Sequence, residues 1–204
     1  MGILEPTTSR WAEILHHYDG IHRHRAEDEL HWFIQARSLA EVISRAALAI
    51  DSRGKRFAHQ RRIPSSALRE ARAALLREQS KIQACRDFDE LLTTITHTLD
   101  DVFGLCELFC YDTAFRIGGY LRLYPEKVYL HSGTREGARA LGLRVGLRKA
   151  IDVAELPDEL GGLPPHEIED ILCIYKADFL HPPKPVHTVS GCCAPNRHEA
   201  RRRC

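Results

Sequence analysis

Excess charge of either sign is absent from this sequence. Its 29 Lys and Arg face 28 Asp and Glu over 204 residues, a formal net charge of +1. No overall field draws the chain to nucleic acid or to a membrane surface, so binding of that kind needs a local patch. Long apolar runs are absent too. None approaches the ~20 residues of a membrane-spanning helix, and no membrane partner is expected. The start, MGILEPTTSRW, has no basic region followed by an apolar run, so no secretory signal is expected. Pro6 stands where a myristoylation motif needs Ser or Thr. The seven cysteines are odd in number and none form a C-x-x-C pair, which fits free thiols in a reducing, cytoplasmic location. P-loop, dinucleotide-binding and G-x-S-x-G patterns are missing, and no repeat of fixed period occurs.

What is present is helical periodicity in an ordinary globular composition, 44% hydrophobic and 28% charged. Phe33, Ala36, Ala40, Ile43, Ala47 and Ile50 recur at steps of three and four, which predicts one apolar helical stripe. Phe88, Leu91, Leu92, Ile95, Leu99, Val102 and Phe103 predict a second. Leu68, Ala71, Leu75 and Ile82 predict another, entered near Pro64-Ser65-Ser66. Ala114, Ile117, Gly118 and Leu121 predict a fourth. LPPHEIEDIL predicts a last one, with prolines at its entry and carboxylates on the positive end of its dipole. Strand character is confined to Lys127–Leu130, too little for a sheet alone. The expectation is an all-α fold: one globular multi-helix domain over 1–180. Residues 181–204 carry four of the ten prolines and little apolar bulk, which predicts a disordered, basic C-terminal tail.

Four groups of residues could carry chemistry. RGKRFAHQRR, residues 53–62, holds Arg53, Lys55, Arg56, Arg61 and Arg62 with no acid among them. Such a connector can neutralise phosphates, which suits DNA or RNA, or can be a solvated link between helices. The histidines His16, His17, His22, His24 and His31 lack ligand spacing within one uninterrupted segment, because Gly20 is expected to break the first helix. Cys192, Cys193, His198 and Cys204 in the tail fit no zinc pattern. No metal or cofactor is expected from either set. The fourth group lies between Gly104 and Gly142. Tyr111-Asp112-Thr113 reads as a cap or a buried polar anchor at a helix start. Thr134 reads as the N-cap of a helix reaching Gly142, where free amides and Arg135 would hold an anion and His131 and Ser132 would orient it. The alternative is a structural corner with Tyr129 and His131 in the core.

Thr113-Ala114, then Val128-Tyr129-Leu130-His131, Arg135 and Leu141-Gly142 are similar to a pattern of the helix-hairpin-helix superfamily of DNA glycosylases. The resemblance covers residues 104–143. In that register the family's hairpin glycines fall on Leu108 and Cys110, its catalytic aspartate on Tyr129 and its lysine on Asp112. The resemblance therefore implies a relative in fold without the glycosylase chemistry.

Two functions follow as expectations. One is binding of nucleic acid or another phosphate-bearing partner through the 53–62 connector and the 131–139 turn. The other is a small-molecule enzyme with an Asp/His/Arg pocket formed by Tyr111, Asp112, Tyr129, His131 and Arg135. A protein-interaction module, marked by an exposed apolar patch, is the third possibility.

Overall fold

The computed structural model describes residues 8–179, with side chains from Arg10 onward; the 181–204 tail and its cysteines lie outside the described residues. The described chain is all-α apart from one two-stranded ribbon. Helix α1 (Thr8–Tyr18) runs through a π-helical turn (Asp19–Arg23) into α2 (His24–Ile34). Gly20 therefore does not break the first helix: it sits inside the π turn, and the chain stays helical from Thr8 to Ile34.

The expected Phe33–Ile50 stripe is two helices. After α2, Ser38 accepts a hydrogen bond from the Glu41 amide and starts α3 (Leu39–Ala47) afresh. Its apolar face still joins that of α2, because both pack on the same neighbour, α7 (Glu107–Leu121). The expected Leu68–Ile82 helix also divides, at Glu78, into α4 (Ser65–Arg77) and α5 (Gln79–Ala84). Helix α6 (Phe88–Leu99) is capped by the Asp87 carboxylate, which accepts from the Glu90 amide. It stops before Val102 and Phe103, and Phe103 is 96% exposed. Periodicity carried across each of these boundaries because a capped turn can keep the apolar phase that an unbroken helix would have.

The Lys127–Leu130 stretch finds a partner that composition did not mark. Val128 and Tyr129 (β1) pair antiparallel with Ile151 and Ala150 (β2). Helix α8 (Ser132–Ala140) follows β1 directly, and α9 (Pro165–Ile174) starts at the proline pair. Apolar side chains gather into two clusters. One runs through helices α2 to α7 and is built on Phe33, Ile43, Leu68, Leu91, Phe109 and Ile117. The other joins Ile14 and Tyr18 of α1 to Val128, Leu130, Ile151, Ile168 and Leu172. Helices α8 and α9 approach closely because Gly133 and Gly137 present no side chain: a methyl at Gly137 would land on the Leu172 carbonyl, and one at Gly133 on the Cys173 thiol.

Candidate acid–base pocket

Helix α7 begins at Glu107, so Asp112 and Thr113 lie within it and cap nothing. That corrects the expected helix start at Tyr111-Asp112-Thr113. It also sets Asp112 and Arg116 one turn apart on the same face. A short 3₁₀ turn, Ala58–Gln60, ends the basic connector and lays two side chains on Asp112. His59 Nε2 is 2.8 Å and Gln60 Nε2 2.7 Å from Asp112 Oδ2. The Gln60 amide oxygen accepts from Arg116 at 3.0 Å, and the Arg116 guanidinium stacks 4.1 Å from the Phe57 ring centre. Burial disfavours the Asp112 carboxylate, but His59, Arg116 and His131 outweigh it and hold the pKa below the usual range. An ionised carboxylate only accepts, so His59 donates from Nε2.

This group lies on a pocket of about 180 Å³ enclosed by the π turn, α2, α7 and α9. Helix α9 contributes His166, Glu167, Glu169 and Asp170. Glu167 accepts from Arg23 at 2.6 Å. The Tyr18 phenol donates to Asp170 at 3.2 Å. Burial, with the Glu169 carboxylate next to it, pushes the Asp170 carboxyl up to about 8, so it is protonated at neutral pH. Burial lowers the pKa of His166, whose ring lies tilted 4.9 Å from that of Phe115 and whose Nδ1 is buried with no partner among the described residues.

The expected anion site at 131–139 is corrected. Thr134 is not an N-cap. It lies inside α8, fully buried, and donates to Glu169 at 2.8 Å. The N-cap position belongs to His131, which is buried and ion-paired with the same Glu169 carboxylate. Burial works against the charged imidazole, but Glu169 outweighs it and raises the pKa. Arg135 gives its guanidinium hydrogens to the carbonyls of Leu130, Gly146 and Arg148. Asp112, His131 and Arg135 thus do not form one set: each has a different partner.

Tyr111 is buried, lines this pocket and stays a phenol because burial lifts its pKa. Tyr111 and His131 also line a second, larger groove of about 700 Å³ along α6, together with Tyr129, whose hydroxyl hydrogen-bonds Asp89. In the connector, Arg53 is tied to Asp51 at 3.1 Å, and Arg56 to the Ile63 carbonyl and Ser65 hydroxyl. Both arginines, expected to meet phosphates, are engaged within the chain, although the Arg53 side chain is 75% exposed. Lys55, Arg61 and Arg62 are exposed, with no side-chain partner among the described residues.

Sequence reading singled out Asp112 and Tyr111 and missed His59, Arg116, His166, Glu169 and Asp170 as site residues. Only His59 carried a signal, as the lone imidazole of the basic connector. Among the described residues no group of three His, Cys, Asp or Glu is placed to hold a metal ion, and His17 bonds Tyr175 instead at 2.7 Å. The glycosylase-like positions Leu108 and Cys110 lie within α7. No family model, no curated protein and no solved structure matches this chain.

Proposed function

We propose that this chain is an enzyme that works on a small polar molecule by general acid–base chemistry. Its site is the pocket between α2, α7 and α9. The observation that carries this reading is the His59–Asp112 hydrogen bond on the pocket wall. A carboxylate that fixes one nitrogen of an imidazole leaves the other oriented as a base and stabilises the ring once it gains a proton. Gln60 and Arg116 hold the carboxylate in turn. His59 is 48% exposed on its side chain, open enough to meet a substrate, while Asp112 is 17% exposed. The pocket wall carries no hydroxyl or thiol nucleophile of Ser, Thr or Cys, which favours proton transfer or activation of water over a covalent intermediate.

The test is turnover. Small esters, amides, lactones and hydroxy acids are incubated with the protein and followed by NMR. At least one is expected to be converted, with kcat/KM falling about 10²–10⁴-fold in His59→Ala and in Asp112→Asn. A substrate converted at the wild-type rate by His59→Ala overturns the reading, and so does the absence of any converted compound.

A second reading rests on Lys55, Arg61 and Arg62, the unpartnered cations of the connector. They suit the phosphates of DNA or RNA. A gel-shift series in salt is expected to show retardation only at low ionic strength, weakened in Arg61→Ala/Arg62→Ala. No retardation of duplex or single strands at low salt rules this reading out.

A further inference from the structure

Every carboxylate on the pocket wall but one has a cationic or imidazole partner. Glu27 lies 3.5 Å from His24, Glu29 3.1 Å from Arg25 and Glu167 2.6 Å from Arg23. Glu169 is paired with His131, and Asp112 with His59 and Arg116. Asp170 has no cation within ion-pair distance among the described residues; its one hydrogen bond comes from the Tyr18 phenol. The same pocket is walled by the rings of Tyr18, Phe33, Tyr111 and Phe115.

We propose that the pocket's ligand carries a small organic cation, an ammonium or amidinium, that pairs with the Asp170 carboxylate. The proposal rests on the acid–base reading of this pocket and names its substrate class. A carboxyl with no counter-ion stays protonated in the empty protein, and a ligand that brings a positive charge lets it ionise. The two guanidiniums of the wall, Arg23 and Arg116, are already held by Asp19 and Glu167 and by Asp112, so neither is free to meet an anion. Once Asp170 gives up its proton, its carboxylate attracts a cation and repels phosphate and carboxylate. Aromatic faces add attraction for a cation that a neutral ligand of equal shape does not receive. At about 180 Å³ the space suits a compact molecule rather than a nucleotide.

Binding has a proton balance. Asp170 is protonated in the empty pocket, so the arriving cation displaces that proton to the buffer and the ion pair forms. The charged and titratable groups around Asp170 are Tyr18 and Arg23 from the first helical segment, Tyr111 and Asp112 from α7, Glu167 and Glu169 from α9, and His131 before α8.

Calorimetry of the whole chain with benzylammonium, benzyl alcohol, benzoate and inorganic phosphate tests the idea. Benzylammonium is expected to bind about tenfold or more tightly than benzyl alcohol, and the two anions not at all. Titrations in two buffers of different ionisation enthalpy are expected to reveal proton release. Asp170→Asn, whose amide retains the shape and can accept from Tyr18, is expected to lose the preference for ammonium. Benzoate or phosphate binding as tightly as benzylammonium overturns the proposal, as does an unchanged preference in a folded Asp170→Asn. Failure of the acid–base reading is seen elsewhere, as undiminished turnover in His59→Ala.

Discussion

One hydroxyl illustrates how residues here work in pairs across the chain. Thr134 donates to Glu169 from a fully buried position, and Glu169 also accepts from His131. Thr134→Val keeps the shape and removes the donor, leaving a buried carboxylate with one acceptor position unmet. Urea unfolding is expected to show a loss of about 1–3 kcal/mol. An unchanged midpoint would mean that the hydroxyl contributes nothing to holding Glu169. Residue types in the 104–143 stretch were readable, and Asp112 stood out among them. Its partners were not, because His59 lies 53 residues away and Glu169 lies 35 from Thr134.

Elements are decided by caps and by close approach. The Ser38 and Asp87 side chains set two helix starts, and both follow the Ser/Asp-x-x-Glu spacing that the sequence displays. The split at Glu78 has no such mark. Glycines separate the two kinds of helix contact. Gly137→Ala would press a methyl into the Leu172 carbonyl and force α8 from α9, at a cost of about 1–3 kcal/mol or more. Gly20→Ala meets nothing within 4 Å in a helical backbone, and is expected to stabilise by about 0.5–1 kcal/mol. Thermal or urea unfolding of both variants checks this contrast; equal effects would sink it.

At the scale of the molecule, the buried acids set how stability responds to pH. Asp170 has a folded-state pKa of about 8, raised from 3.8. The native state therefore keeps a proton that the unfolded chain releases. Stability from this group is fully present below about pH 4, falls as pH rises, and levels off above about pH 8. His131, also raised, acts in the same direction: its contribution is lost as pH climbs through its folded pKa. The chain is expected to unfold more easily at pH 9 than at pH 6. Asp170→Asn is expected to flatten that slope, by an amount on the order of a few kcal/mol at the alkaline end. Denaturant midpoints at a series of pH values measure it, and a wild-type profile rising toward pH 9 would contradict the assignment.

The helical class was settled by the sequence alone. Three- and four-residue steps of apolar side chains are a local property, and so are proline entries and capping residues. Hydrogen-bond partners are not local. Which way Arg135 turns depends on carbonyls up to 13 residues on, and the β1 partner is a two-residue stretch with no strand signal of its own. The pocket exists only because α7, α9 and the 58–60 turn converge on Asp112 and its neighbours, each supplying polar groups. Burial there then gives Asp112 and Asp170, chemically alike in the sequence, opposite protonation states, since desolvation and neighbouring charge are properties of the packed site rather than of the residue.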